Sequence, residues 1–276
     1  MTAEDISAAF LNPPATMGQR LVRAKTRIRD AGVPFGIPES EELGERLHAV
    51  LDAIYAAYAK GWNEIGDTGV PEIADEAIWL ARLVVSLMPA EPEARGMLAL
   101  MLYAEARRAA RRDPAGAYVP LEKQDISLWD DSQIALAEQL LHDANRAGPS
   151  GRYQLEAAIQ SAHTARRVTG APNWRVVVKL YDHLLLLTRS PVVLLNRAVA
   201  LAEIDGPKAA LDAMQPLVDD KRMLGYQPYW AARGHLLARA GQRAEAAEAF
   251  TVALGLTTDD AVRSYLEAQR AALVDG

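Results

Sequence analysis

The sequence predicts an all-α protein. Half of the residues are hydrophobic, Ala and Leu dominate that half, and aromatic residues make up only 6% of the chain. β-branched runs are few, and helix-forming residues fill long segments between breaks that contain Pro or Gly. Within these segments apolar residues recur at i, i+3 and i+4, the period of an amphipathic helix. We therefore expect helices throughout the chain.

The first thirty residues predict two helices joined by a tight turn, the outline of a helix-turn-helix. Thr2 is a suitable N-cap, and Asn12-Pro13-Pro14 ends the first helix because proline lacks an amide donor. The apolar positions of that helix are Ile6, Ala9 and Phe10. The second helix is predicted from Ala15 to Asp30, with a buried stripe and a polar side. The expected stripe is Met17, Leu21, Ala24 and Ile28, and the polar side holds Gln19, Arg20, Arg23, Lys25 and Arg27.

Basic residues are concentrated in this N-terminal segment. Residues 1–32 contain five Lys or Arg and three Asp or Glu, whereas the whole chain has a net charge of −6, so the remainder carries −8. Any affinity for DNA is therefore expected at the N-terminus, because the acidic remainder repels phosphates. A basic amphipathic helix is also typical of an ordinary solvated surface, and the pattern alone leaves both interpretations open.

A helical bundle is predicted over residues 39–190, after a linker at 33–38 that is rich in Gly and Pro. Its central helix is expected from Pro92 to Arg112, because residues 97–102 are apolar on nearly all sides. The basic run 107–112 at the end of that helix is interpreted as compensation of the helix dipole on a solvated face rather than as a nucleic-acid contact. Residues 113–130 predict an ordered loop packed on the bundle. The other bundle helices are predicted at 40–60, 71–88, 131–147, 151–169 and 174–188.

From Pro191 onward the apolar spacing becomes regular, with the period of tetratricopeptide repeats. Gly234 is expected to let two helices approach closely, with Ala246 facing it and Phe250 filling the groove beside them. A looser copy precedes this one and turns at Gly206. A closing helix is predicted over 259–274. Two copies are fewer than a repeat array usually needs for stability. We therefore expect this region, 191–276, to pack against the helices that precede it.

Enzyme chemistry is not indicated. The chain has no Cys, its five His are scattered, and it contains no phosphate-binding loop, nucleophile elbow or zinc motif. The paired aspartates Asp130-Asp131 and Asp259-Asp260 stand at predicted helix starts, where capping accounts for them. We expect no catalytic residue, no metal site and no cofactor. No apolar run is long enough for a membrane span, so a soluble, cytoplasmic protein without a membrane partner is expected.

Several segments carry a resemblance to a known family. They are ISAAFL (6–11) and PATMGQRLVRAK (14–25), LEKQD (121–125) with WD (129–130), GRYQL (151–155) with AAI (157–159), and SPVV (190–193) with LNRAVA (195–200). Together they resemble bacterial extracytoplasmic-function RNA polymerase sigma factors, in the branch with a long C-terminal tetratricopeptide-repeat extension. The resemblance covers essentially the whole chain. In that family, region four contains the helix-turn-helix that reads the −35 promoter element.

The resemblance implies particular roles for the second helix. Thr16 and Arg20 would hold DNA phosphates, Gln19 and Arg23 would reach base edges in the major groove, and Arg27 would make a further backbone contact. Promoter DNA and the RNA polymerase core are the implied partners in the full-length protein. Relative to this family the sequence begins inside region four and lacks region two, which would reflect an internal start or a natural remnant. Residues 1–32 would then be the C-terminal part of region four.

Two other interpretations remain open at this stage. The chain could be a stand-alone protein-interaction module that binds a peptide in its repeat groove and does not bind DNA. In that case the N-terminal helices, without their usual region-four partners, would dock on the body or form a homodimer. A small-molecule sensor with a pocket between bundle and repeats is a third interpretation, and no feature of the sequence points to it.

Overall fold

The structure is a computed structural model that describes residues 2–9, 11–32, 40–63 and 71–273. Throughout these residues the regular structure is helical, and the β-structure is limited to an isolated bridge between Arg112 and Tyr118. The all-α prediction is thus confirmed. None of the helices in these four segments combines the length and apolarity needed to cross a membrane. The predicted linker at 33–38 and Phe10 lie outside the described residues.

Among the described residues, the longest connection between α-helices is the segment 106–130. The α-helices are α1 (Ala3–Ala9), α2 (Pro14–Asp30), α3 (Ser40–Asn63), α4 (Pro71–Leu87), α5 (Pro92–Glu105), α6 (Asp131–Ala147), α7 (Arg152–Thr164), α8 (Arg166–Thr169), α9 (Trp174–Thr188), α10 (Pro191–Ala213), α11 (Lys221–Leu224), α12 (Gln227–Arg239), α13 (Arg243–Leu256) and α14 (Asp260–Ala271). Short 3₁₀ turns occur at Arg108–Arg111, Leu121–Lys123, Ile126–Leu128 and Gln215–Leu217.

Helix α5 is the centre of the bundle, as its apolar interior predicts. Residues 97–102 are all buried, and the helix packs against α4, α6 and α7. Its predicted end at Arg112 is wrong, because α5 stops at Glu105 and the chain continues as a 3₁₀ turn. The tighter turn brings the backbone of Ala106 to Asp130, whose N–H donates to the Ala106 carbonyl at 2.9 Å.

The packing of α5 on α7 depends on a buried carboxylate. Glu93 in the first turn of α5 accepts hydrogen bonds from the backbone N–H groups of Tyr153 (2.8 Å) and Gln154 (3.1 Å). These groups belong to the first turn of α7, where the N-cap residue Gly151 offers no side chain. A side chain of α5 therefore caps the start of α7, and the contact involves Tyr153 and Gln154 of the GRYQL segment.

The C-terminal helices pack mainly on their neighbours in sequence, from α9 through α10, α12 and α13 to α14. Gly206 interrupts α10 with φ 86° and ψ 172°, so the chain turns where the repeat pattern predicts a turn. A Cβ atom at Gly234 would lie 2.9 Å from the ring of Phe250, which explains the close approach of α12 and α13. One apolar cluster contains Leu155 of α7, Val177 of α9 and Val193 of α10, so α10 packs against these two bundle helices.

The loop 113–130 is ordered, as predicted, and it reaches the far end of the chain. The Tyr118 ring contacts the ring of Tyr265 in α14 edge-on at 5.4 Å. Trp129 is buried, and Arg166 stacks over its ring at 4.8 Å while donating hydrogen bonds to the carbonyls of Glu122 and Gln124. The prediction that the apolar side chains of this loop pack inward is wrong for Ile126 and Leu128, which are exposed.

Candidate nucleic-acid interface

Helices α1 and α2 form a hairpin at the edge of the bundle. At the start of α1 the Asp5 carboxylate accepts a hydrogen bond from the Thr2 N–H, and the Thr2 hydroxyl accepts one from the Asp5 N–H. This is the reciprocal arrangement of a capping box. Between the helices Leu11 adopts a left-handed conformation with φ 49°, and Asn12 N–H donates to the Ser7 carbonyl at 3.0 Å. The turn is thus defined by backbone hydrogen bonds, and α2 begins directly at Pro14.

An ion pair fixes the hairpin to the bundle. The Lys60 ammonium in α3 lies 2.8 Å from the Asp5 carboxylate in α1. The hydrogen bonds from Lys60 and from the Thr2 N–H lower the pKa of Asp5 to about 2. α1 packs on both α3 and α2, so it joins α2 to the bundle.

The five residues predicted to contact DNA share one side of α2. At about 100° of rotation per residue, Thr16, Gln19, Arg20, Arg23 and Arg27 fall within a sector of roughly 100°. Thr16 is half-buried and the other four side chains are exposed. Arg23 donates hydrogen bonds to the Gln19 carbonyl and side chain, both at 3.4 Å. Among the described residues, no acidic group pairs with Arg20, Arg23 or Arg27.

The predicted apolar stripe of α2 is buried only in its first half. Met17 is 8% exposed and Leu21 half-buried, whereas Ala24 is exposed and Ile28 is 58% exposed. The prediction that all four are buried is therefore wrong for the last two. The reason is length: 17 residues of α2 span about 25 Å and seven residues of α1 about 10 Å. The C-terminal half of α2 thus extends beyond the helix it packs on.

The basic run 107–112 is not a solvated face, contrary to the prediction. Arg107 is only 8% exposed and donates to the carbonyl of Tyr103 at 3.1 Å. Arg111 stacks over the Trp62 ring at 4.1 Å and donates to the Trp62 carbonyl at 2.6 Å. Arg112 pairs with Asp259. These arginines join separate elements, so they are occupied within the protein.

The described residues contain no cluster of three or more His, Asp or Glu side chains that could hold a metal ion. The paired aspartates cap helices, as predicted: Asp130 accepts from the N–H groups of Ser132 and Gln133, and Asp259 from those of Ala261 and Val262. The structure contains a cavity between α7, α9 and α10, a region in which the sequence offered a pocket only as an interpretation without a supporting feature. No local motif could have indicated it, because its walls come from widely separated segments.

Two comparisons with known proteins gave matches, one to part of the bundle and one along almost the whole chain. Residues 46–145, from α3 to α6, match a family of unknown function (DUF6596). An uncharacterized protein of Rhizobium meliloti (strain 1021) is 40% identical over 271 residues, which is 98% of this chain and 64% of that protein. The chain thus spans less than two thirds of the length of this curated relative. No solved structure matches the chain.

Proposed function

We propose that this chain is the C-terminal portion of a cytoplasmic RNA polymerase sigma factor that contacts −35 promoter DNA through α2. The observation that carries the proposal is the exposed side of α2, where three arginines with no acidic partner in the described part of the chain lie on the same side as Gln19 and Thr16. Promoter DNA and, in the full-length protein, the RNA polymerase core are the proposed partners. The helical body is then a regulatory and protein-interaction extension.

Each α2 residue has a separate role in this proposal. Arg20 and Thr16 lie in the first two turns and hold phosphates, which fixes the position of the helix without reading sequence. Arg23 and Gln19, already joined by hydrogen bonds, reach base edges together. Arg27, one turn further, contacts the backbone. The exposed stripe at Ala24 and Ile28 is where the remaining helices of region four would pack.

A titration of labelled duplex DNA at several salt concentrations tests the proposal. The duplexes are selected from a randomised pool by repeated binding to the chain. Because each phosphate contact releases counterions, the slope of log K against log salt should be about −2 to −3 for two or three contacts. Arg20→Ala should weaken all duplexes about equally and reduce the slope by about 1, whereas Arg23→Ala should relax the sequence preference. If both changes are silent, the assignment of α2 is wrong.

The neighbour-to-neighbour packing from α9 to α14 favours a second candidate, a tetratricopeptide-type protein-interaction module without DNA binding. Its partner would be a peptide bound by the repeat helices. The same salt titration distinguishes the two candidates, because binding of a peptide through an apolar groove depends far less on salt than binding to phosphates does. If the chain does not bind DNA even at low salt, the result favours this second candidate.

A further inference from the structure

A cavity of about 550 Å³ lies where α7, α9 and the start of α10 meet, and α3, α5 and the segment 222–226 also contribute to its wall. Cavities of this volume are typical of small-molecule sites. The wall also includes Leu11, which lies in the turn between α1 and α2. The cavity therefore adjoins the bundle, the repeat region and the N-terminal hairpin.

Three tyrosine hydroxyls in the wall are without hydrogen-bond partners among the described residues. They belong to Tyr55, Tyr181 and Tyr226, which come from three different parts of the fold. Burial raises the pKa of each of these hydroxyls, so all three remain protonated at neutral pH. Each can therefore donate a hydrogen bond, and the cavity offers these donors to a ligand that carries acceptors.

The wall of the cavity contains three arginines, Arg152, Arg189 and Arg222, and the carboxylate of Glu156. Arg152 is held by Asp52 and Glu156, and Arg222 is held by Asp220, whereas Arg189 forms no ion pair within the described structure. Arg189 ends α9 in a left-handed conformation with φ 50°, and it immediately precedes Ser190, the N-cap of α10. This leaves one arginine in the wall free to pair with an anion.

The start of α10 adds backbone donors beside this arginine. Ser190 is the N-cap but its side chain makes no capping hydrogen bond, and Val192 and Val193 of the first turn line the cavity. The first N–H groups of a helix have no partner within the helix and favour negative charge. The apolar part of the wall includes Leu100, Ile159 and Leu184, which are all buried.

We propose that this cavity binds a small organic anion whose carboxylate or phosphate group pairs with Arg189 and whose hydrocarbon part packs against Leu100, Ile159 and Leu184. The tyrosine hydroxyls donate to further oxygen atoms of the ligand. Leu11 makes the turn of the α1–α2 hairpin part of the wall, so the bound molecule lies against the element that carries α2. The ligand site does not depend on DNA binding by α2, and each can be tested without the other.

Phenyl phosphate is the probe for the test, because it combines a dianion with an aromatic ring. Its binding to the full chain is followed by the ³¹P resonance of the probe, with inorganic phosphate titrated in parallel. Wild type should bind phenyl phosphate in a saturable manner at millimolar concentration or below, and more tightly than inorganic phosphate, because only phenyl phosphate fills the apolar wall. Arg189→Gln should weaken the binding about tenfold or more, the loss expected for one charge-assisted hydrogen bond.

Two further variants make the result specific to the cavity. Arg175→Gln removes an exposed arginine of the same helix outside the cavity, and it should bind the probe as wild type does. Asn196→Trp places a large ring at an exposed position of the wall and should block the probe, while the fold is checked by circular dichroism. The proposal is overturned if wild type shows no saturable binding, or if Arg189→Gln and Asn196→Trp bind the probe as tightly as wild type.

Discussion

Arg112 and Asp259 form an ion pair of 2.6 Å although they lie 147 residues apart in the sequence. Arg112 follows the central helix of the bundle, and Asp259 is the N-cap of the last helix. The pair, together with the contact between Tyr118 and Tyr265, joins the loop after α5 to α14. The central part of the bundle and the last helix are therefore held together through Arg112 and the loop 113–130.

Asp259→Ala should lower the free energy of unfolding at pH 7 by about 1–2 kcal/mol, mostly through the lost helix cap. Burial alone would raise the pKa of Asp259, but the hydrogen bonds from the Val262 N–H and from Arg112 outweigh it and hold the pKa below its ordinary value. Its contribution is thus present above the ordinary carboxyl pKa near 4 and is lost as the pH falls through the folded-state pKa. Urea unfolding measures the change. Asp219→Ala, at an exposed position, is the control, and equal effects of the two changes would contradict this role.

Glu93→Ala should be among the most destabilising substitutions in the bundle. It leaves the N–H groups of Tyr153 and Gln154 without an acceptor in a buried position, at a cost of roughly 2–4 kcal/mol. Glu93→Gln keeps one acceptor oxygen and should cost less. Denaturant unfolding checks both, with Glu76→Ala on the exposed side of α4 as the matched control. A Glu93→Ala protein as stable as that control would show that the cap between α5 and α7 contributes little.

Gly234→Ala should destabilise the contact between α12 and α13 by about 1–3 kcal/mol, because the new methyl group meets the Phe250 ring. The double variant with Phe250→Leu should recover part of that loss. Gly255→Ala is the control, since Gly255 lies in α13 with open space around it and alanine there should stabilise by about 0.5–1 kcal/mol. The melting temperatures of the variants, measured by thermal unfolding, are compared. Similar shifts for the two glycine positions would rule out the proposed steric clash.

The stability of the protein should decrease as the pH is lowered from about 7 to about 4, in part because of His163. Burial, with the nearby charges of Arg107 and Arg166, lowers the pKa of His163 to about 4. Because the unfolded chain takes up the proton near pH 6.5, the contribution of the neutral imidazole is complete above that pH and is lost as the pH falls towards 4. The expected loss is roughly 2–4 kcal/mol.

His163→Gln should therefore flatten the dependence of the unfolding free energy on pH between 4 and 7, while the other titrating groups remain unchanged. Urea unfolding at a series of pH values measures this slope. His48→Gln, at an exposed position in α3, is the control. An unchanged slope in His163→Gln would show that this histidine does not account for the acid sensitivity.

Local signals in the sequence were sufficient for most helix boundaries. Pro92 and Asp130 start helices where capping and the conformation of proline require it, and Gly206 breaks a helix at the predicted turn. These features depend on the residues themselves and their immediate neighbours. For the same reason the all-α class and the central position of α5 could be predicted.

Features that depend on contacts between distant segments could not be predicted. The basic run 107–112 has the pattern of a solvated helix end, but Trp62 and Trp129 cover it, and no local rule places them there. Ile28 keeps the spacing of a buried stripe although α1 is too short to cover it. The cavity beside Arg189 is assembled from segments between Leu11 and Tyr226, so its composition becomes visible only in the folded chain.

DNA binding by α2 is the central claim, and replacing its three proposed contact arginines tests that claim most directly. The variant Arg20→Ala, Arg23→Ala, Arg27→Ala is compared with a control in which three exposed arginines outside α2 are replaced by alanine, at positions 82, 175 and 243. Both variants lose the same net charge, so they differ only in where the charge is removed. In a titration with the selected duplexes at low salt, the α2 variant should lose most of the affinity and the control should retain it. Equal losses in the two variants, or none in either, would contradict a DNA-contacting role for α2.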